Sequence, residues 1–409
     1  MSHPHPAAAD LSEWLLARGL DGTPREDLLT GYCTRLVGAG LPLYRLHLAQ
    51  RALHPRFGGI GFDWLRTGGK VSLQQYAHTD SPVQGWLQSP LYVILETGEL
   101  ELRERLDTPG HQSRFPLLND LREQGATDYF ASGLLFETPP ENVAIDPNNT
   151  PEGMLISWTS DAPGGFSETD LALIRATLPQ LGLAMKSASN RRIAHDLLGT
   201  YLGRDAGARV LSGEIQRGSL QRIDAVILYF DLTGFTSLAE RTPGPDLIAM
   251  LNTYFAVVVE AIHAGGGHVL KFMGDGLLAM FDQPQAAVAA GAALDTVVTL
   301  NGEITALNLS RTAQGLPVTD HTIALHAGEI FYGNIGAETR LDFTVIGPAV
   351  NLTARLSGMH RALDQKVILS EPIRSAVRDG PHDLVSLGRY MLRGVSQPQE
   401  LFTLYTREE

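Results

Sequence analysis

The sequence predicts an α+β protein of two domains joined by a helical linker. Three observations carry that prediction: the length of the chain, a change of texture near residue 220, and strands that alternate after it with helices and hairpins. At 409 residues the chain is long enough for two or three domains. Its 44% hydrophobic and 19% charged residues supply more than one core. The net charge of −13 argues against a nucleic-acid binder held by phosphate contacts. The single cysteine, Cys33, excludes an intramolecular disulfide and a Cys-based zinc site, so a core position in a reducing compartment is expected. The start, MSHPHPAAADLSEW, has no basic segment followed by an apolar run, and no stretch approaches the roughly 18–20 apolar residues of a membrane span. A soluble cytoplasmic protein without a signal peptide is expected.

Residues 1–9 read as a disordered leader. From Asp10 to Leu53 the pattern is helical, with Leu11, Trp14, Leu15, Leu28, Leu29, Tyr32 and Leu36 at three- and four-residue steps. Leu91–Leu95 and Met154–Trp158 read as short strands. Ser167 caps a helix, with Asp170 three residues on. Leu171, Ile174, Leu178, Leu181 and Met185 stripe that helix, which continues past Pro179 towards Leu198. Such a stripe either packs on its own domain or pairs two protomers. Residues 188–219 form the linker, ending in a Gly- and charge-rich connector from Gly203 to Ser219.

After it, Ala225–Phe230 is a buried-strand run and Asp246–Ala264 a long amphipathic helix. His268–Met273 and Gly276–Phe281 flank a Gly-Asp turn and read as a hairpin. Ala286–Leu300 is an Ala-rich helix, Thr322–Ala327 a strand, Ala349–Leu356 the start of a helix, and Phe402–Tyr405 a last strand. One layer of sheet under one layer of helices follows.

Three blocks carry chemistry. In AVILYFDLTGFT, Asp231 stands at the end of a buried strand. The chain then turns at Gly234 into a helix, so the amides of Gly234, Phe235 and Thr236 would face an anion. In VLKFMGDGLLAMF, Asp275 sits at a hairpin tip. Alone it is ordinary turn chemistry. Paired with Asp231 in one small sheet, it could hold two divalent ions for in-line phosphoryl transfer. In FTVIGPAVNLTARLSG, Asn351 and Arg355 are four apart and share a helix face. Arg355 offers a permanent planar cation for developing phosphorane charge.

These blocks, with LHAGEIFYGNIG between the second and third, resemble the class III adenylate and guanylate cyclase catalytic domain in order and spacing, over residues 220–409. The resemblance implies a ferredoxin-like, palm-type domain that makes cyclic AMP and pyrophosphate from ATP, with two Mg2+ or Mn2+ ions per active site. It implies that Asp231, Asp275 and the Leu232 carbonyl bind metal. Lys271 would read the adenine ring, Asn351 would orient the ribose and Arg355 would stabilise the transition state. It also implies a homodimer, because the metal half and the base-reading half of each site come from opposite protomers.

At the position where the family usually has aspartate, this sequence has Thr344, similar to the bicarbonate-responsive subset. Lys271 donates to adenine N1 and the Thr344 hydroxyl can accept from the adenine amine, although it can also donate. Asp342 is the candidate substitute if the register is shifted. Guanylate cyclases typically carry glutamate where Lys271 stands. Arg340 and Arg393 lie where the family uses basic residues: each is either a triphosphate contact or a plain surface cation. The alternatives to an adenylate cyclase are a guanylate cyclase and an inactive nucleotide-binding signalling module.

Residues 10–187 read as a sensor. The stretch from Met154 to Lys186 is similar to the closing strand and helix of GAF-like domains. His54 and Trp64 could line a ligand pocket, although core packing is the commoner role for both. The signal recognised, small molecule or protein, is unknown.

Overall fold

The computed structural model describes residues 5–79, 81, 83–137, 152–378 and 380–405. It divides into two compact units, Met1–Leu197 and Leu198–Glu409. Residues 1–4 of the expected leader lie outside the described residues, and its last residues already belong to a helix.

In the first unit, α1 (Ala7–Leu20) and α2 (Arg25–Gly38) follow the expected spacing, with Leu11, Leu15, Leu28, Leu29, Tyr32 and Leu36 all buried. The helical pattern does not reach Leu53. Gly40, at φ 93°, follows α2, and Leu43–Arg51 is strand β1. There Leu46 and Leu48 are buried while Arg45, His47 and Arg51 are not, the alternation of a sheet. Strands β2 (Phe57–Leu65) and β3 (Val71–Ala77) follow, then a short α3 (Gln84–Leu87).

Leu91–Leu95, expected as a strand, lies inside helix α4 (Pro90–Thr97). The local sequence explains it: the Ser89 hydroxyl accepts from the Tyr92 N–H at 3.1 Å and Pro90 takes the first helical position. After β4 (Glu101–Arg105), α5 (Pro116–Glu123) and β5 (Asp128–Leu135), the expected strand appears as β6 (Gly153–Ser160). The six antiparallel strands run β3-β2-β1-β6-β5-β4.

Helix α6 (Glu168–Leu202) contains Pro179 and runs past it. Its capping box is reciprocal: the Asp170 N–H donates to Ser167 Oγ at 3.2 Å and the Ser167 N–H to Asp170 Oδ2 at 2.8 Å. Its stripe, Leu171 to Met185, packs with α1 and α2 in the core of this unit. Cys33 and Trp64 are buried in the same core, and the thiol is free. His54 instead stacks on Phe57, with ring centroids 3.9 Å apart.

In the second unit the expected Gly-rich connector contains helix α7 (Arg204–Leu211), formed because Leu202, Ala206 and Val210 find apolar neighbours on the sheet. Then come β7 (Leu220–Leu232), a short α8 (Phe235–Ala239), α9 (Gly244–Ala264), β8 (His268–Met273) and β9 (Gly276–Phe281). Helix α10 (Ala286–Ala313) leads to the long β10 (His321–Ala337), which folds back as β11 (Arg340–Ile346). The chain ends with α11 (Pro348–Ser357), α12 (His360–Leu363), β12 (Val367–Ser370), α13 (Glu371–Ala376), β13 (Asp383–Tyr390) and β14 (Gln399–Tyr405).

The eight-stranded sheet runs β13-β14-β12-β10-β7-β9-β8, with β11 hung on β10. The order β10-β7-β9-β8, with α9 and α10 as crossovers, is the ferredoxin-like arrangement. Helices α9 and α10 bury Tyr254, Val258, Leu294 and Val297 against Val226, Leu228 and Phe230 of β7. The opposite face is not bare: α7 and α11 cover Ala225, Ile227, Leu278 and Met280, which corrects the expectation of a single helical layer.

Helix α9 also corrects the expectation about membrane spans, being by length and composition apolar enough to cross one. Its Met250, Tyr254, Val258, Ala261 and Ile262 are nevertheless core residues of this unit.

Candidate active site

Strand β7 delivers Asp231 to the edge of the core. The pairing of β7 with β9 sets Asp231 opposite Gly276, so Asp275 at the hairpin tip lies beside the end of β7. The Leu232 N–H donates to the Asp275 carbonyl at 3.3 Å. Two glycines make the turns possible: Gly234 after Asp231 and Gly274 before Asp275 adopt φ 71° and 69°, a left-handed conformation costly for other residues.

The two carboxylates sense each other. Burial first, and then the charge of Asp275, push the Asp231 carboxyl up to about 6. Burial, reinforced by the charges of Asp231 and Asp275, also raises the Tyr229 phenol. A divalent cation between the carboxylates would relieve that repulsion. Carboxylate and carbonyl oxygens are hard donors suited to Mg2+ or Mn2+. The described residues contain no group of three or more His, Cys, Asp and Glu that could hold a metal by themselves. Two carboxylates completed by substrate phosphates and water are the usual Mg2+ arrangement, so the donor set fits.

The turn after Asp231 exposes Thr233, Gly234 and Thr236, with Phe235 half-buried. A cavity of about 310 Å³ flanks it, lined by Thr233, Gly234, Ser237, Arg241, Thr319 and Asp320 among others. Neither carboxylate lines this cavity, so it is not the space between Asp231 and Asp275.

Lys271 is exposed on β8, opposite Leu278. Strand β8 runs close to β11, which carries Thr344 opposite Gly333. Thr344 is 8% exposed, and its Oγ1 is buried with no hydrogen-bond partner among the described residues. Asp342 is exposed two residues earlier.

Helix α11 buries Ala349, Thr353 and Leu356 and leaves Asn351 and Arg355 exposed, so the predicted pair does share a face. Among the described residues no side-chain hydrogen bond or ion pair joins either to Asp231 or Asp275. One chain therefore brings together Asp231, Leu232 and Asp275, and separately the strands of Lys271 and Thr344. Arg340, at the start of β11, and Arg393, between β13 and β14, are exposed, and among the described residues no side-chain bond ties them to these groups.

Sequence reasoning passed over Gly276. A Cβ there would lie 2.6 Å from the Phe230 carbonyl oxygen and 2.7 Å from Asp231 Oδ1. The GDG motif itself was the available signal.

Residues 219–406 match the family profile described as the adenylate and guanylate cyclase catalytic domain. This segment is thus similar to cyclase catalytic domains. Curated relatives of the chain include an uncharacterized protein of Mycobacterium tuberculosis, 31% identical over 225 residues that cover 53% of this chain and 38% of the relative. An uncharacterized Mycobacterium bovis protein is 31% identical over 219 residues, covering 52% of this chain and 38% of its own. The chain thus spans well under half the length of these relatives.

Similar solved structures include the adenylyl cyclase CyaB from P. aeruginosa, at 27% identity and a TM-score of 0.44, covering 46% of this chain and 97% of that one. The guanylyl cyclase Cya2 is similar at 27% identity and a TM-score of 0.38, over 45% of this chain and 92% of that one. An adenylyl cyclase and a guanylyl cyclase are thus both among the solved structures that this segment resembles.

Proposed function

We propose that the protein is an adenylate cyclase, converting ATP to 3′,5′-cyclic AMP and pyrophosphate in a homodimer with composite sites, under the control of its N-terminal unit. The observation that carries the ATP reading is the buried, unpartnered Thr344 hydroxyl on a strand beside that of Lys271. A buried hydroxyl without a partner is uncommon, and a ligand is a natural one. Lys271 donates to adenine N1 while Thr344 accepts from the exocyclic amine. Guanine presents a donor at N1 and an acceptor at C6, so the lysine opposes it. Thr344 supports grouping this chain with the threonine-bearing, bicarbonate-responsive-like cyclases.

Divalent ions, when bound, supply Lewis-acid activation of the 3′-hydroxyl and neutralise triphosphate charge. The protein holds them through Asp231, Asp275 and the Leu232 carbonyl. The amides of Gly234, Phe235 and Thr236 cradle the phosphates, helped by Arg340 and Arg393. Asn351 orients the ribose, and Arg355 stabilises charge on the α-phosphoryl group as the 3′-oxygen attacks in line. Asn351 and Arg355 on an exposed helix face reach these groups across a two-fold interface with a second copy.

The N-terminal unit is read as a GAF-like sensor through its β6–α6 closure. On its sheet, Arg45, His47 and Asp63 cluster half-buried, with His47 Nδ1 3.1 Å from Asp63 Oδ1. The neighbouring Thr159 Oγ1, across from Arg45, is buried without a partner among the described residues. The free, buried Cys33 suits the reducing cytoplasm.

The test is an assay of the full chain with equal ATP and GTP in Mn2+ or Mg2+. Predominant cyclic AMP supports the reading. Predominant cyclic GMP makes it a guanylate cyclase, and nucleotide binding without product makes it an inactive module.

A further inference from the structure

The pairing of β7 with β10 ends at Leu232 opposite His321, so Thr233 is the first residue to leave the sheet. Both of its backbone groups need new partners. They find them in one segment: the Thr233 N–H donates to the Asp320 carbonyl at 2.8 Å, and Thr319 Oγ1 donates to the Thr233 carbonyl at 2.6 Å.

That segment is itself held from behind by helices α9 and α10. The Thr319 N–H donates to the Tyr254 hydroxyl at 3.1 Å, and the Tyr254 hydroxyl donates to Asn308 Oδ1. Asn308 Nδ2 returns to the Thr319 carbonyl at 2.8 Å, closing a ring of bonds. Arg311, 8% exposed, donates through Nε to the Pro317 carbonyl at 2.9 Å and lies over the Tyr254 ring. Tyr254 and Thr319 are buried and Asn308 is half-buried, and a largely buried ring whose members bond one another is rigid.

We infer that Tyr254, Asn308 and Thr319 are positioning residues that fix the turn between Asp231 and Thr236 in its metal- and phosphate-binding shape. They touch neither carboxylate. They act through Thr233, the residue after the Leu232 carbonyl and before the left-handed Gly234. The chain immediately after the clamp has no sheet to hold it. If Thr233 slips, the Leu232 carbonyl and the amides from Gly234 to Thr236 move with it. An error of about 1 Å in such a site costs up to about a hundredfold in rate. The base-reading residues lie on β8 and β11, outside the clamp, so nucleotide choice should not follow it. The inference rests on the metal-dependent cyclase reading given above.

The experiment compares full-length wild type with Thr319→Val, Thr319→Ser and Tyr254→Phe. It records kcat, the Mn2+ concentration for half-activation, the ATP-to-GTP ratio and the melting temperature. Calorimetry with Mn2+ and 3′-deoxy-ATP, which cannot cyclise, reads the site without turnover.

Thr319→Val and Tyr254→Phe are expected to lower kcat about tenfold. They should also raise the Mn2+ requirement several-fold and weaken the calorimetric binding, with the ATP-to-GTP ratio unchanged. Thr319→Ser, which keeps the donor, is expected within about twofold of wild type. Wild-type kcat and Mn2+ dependence in both Thr319→Val and Tyr254→Phe would overturn the inference, as would a Thr319→Ser variant as impaired as Thr319→Val. Should Thr319→Val fail to fold, Tyr254→Phe and the serine rescue decide. A wild-type chain that binds the probe but makes no product defeats the cyclase reading alone, and calorimetry on the variants still decides the clamp. A wild type that neither turns over nor binds sinks both.

Discussion

The Leu232 N–H donates to the Asp275 carbonyl at 3.3 Å, and that bond brings the ends of the two carboxylate-bearing segments side by side. It leaves no room at the next residue. A methyl group on Gly276 would meet the Phe230 carbonyl oxygen at 2.6 Å and Asp231 Oδ1 at 2.7 Å. Backbone cannot yield as a side-chain tip can, so Gly276→Ala must displace Asp231 or part the strands. We expect kcat to fall by about a hundredfold or more. Steady-state assays in Mn2+ check this, and wild-type turnover would show that the carboxylate tolerates displacement.

Thr344→Val should separate stability from function. Valine replaces a buried hydroxyl that has no partner in the ligand-free chain. Removing it should raise the free energy of unfolding by about 1 kcal/mol. If that hydroxyl meets the adenine amine, the same change should raise the KM for ATP about tenfold. Thermal melting and ATP kinetics on one preparation test both halves. A variant that is more stable and keeps its KM would remove Thr344 from base recognition.

The site was legible where its chemistry is local. The His268–Met273 and Gly276–Phe281 hairpin was marked by its Gly-Asp turn, and Asp231 by the apolar run before it. Leu91–Leu95 misled because a short apolar run has no period long enough to distinguish helix from strand, and the Ser89-Pro90 start decided it. Strand β12 has only four residues, too few to show a pattern. The burial of Thr344 depends on β10 folding back as β11, which no local signal revealed. The clamp on Thr233 joins residues 86 apart in sequence, a relationship that only the folded sheet creates.

The composite site predicts complementation. Asp231→Ala removes a metal ligand, and Asn351→Ala removes the ribose contact from the exposed face of α11. Each variant alone should be inactive. In a mixed homodimer population, the heterodimer keeps one site with both wild-type halves. Random association should then restore about a quarter of wild-type activity. Co-expression followed by a cyclase assay measures it. An inactive mixture containing demonstrated heterodimers would show that each site is built within one chain.

His326 is 8% exposed, and its Nδ1 lies 2.7 Å from Ser370 Oγ. Burial alone pushes its pKa down from 6.5 to about 4. Between those values the unfolded chain binds a proton that the folded chain refuses, so stability falls as pH falls. The contribution is intact above about pH 6.5 and declines by about 1.4 kcal/mol for each pH unit below it. His321, pushed down to about 4 chiefly by burial, adds a slope of the same sign. Asp231, raised to about 6, contributes the opposite slope below that pH, but the two histidines outweigh one carboxyl, so melting temperature should drop between pH 7 and pH 5. Gln in place of His326 costs some stability at every pH but cannot take up the proton. The comparison that matters is of slopes and not midpoints: His326→Gln should flatten the pH dependence by one residue's share. An unchanged slope would mean that another group carries the titration.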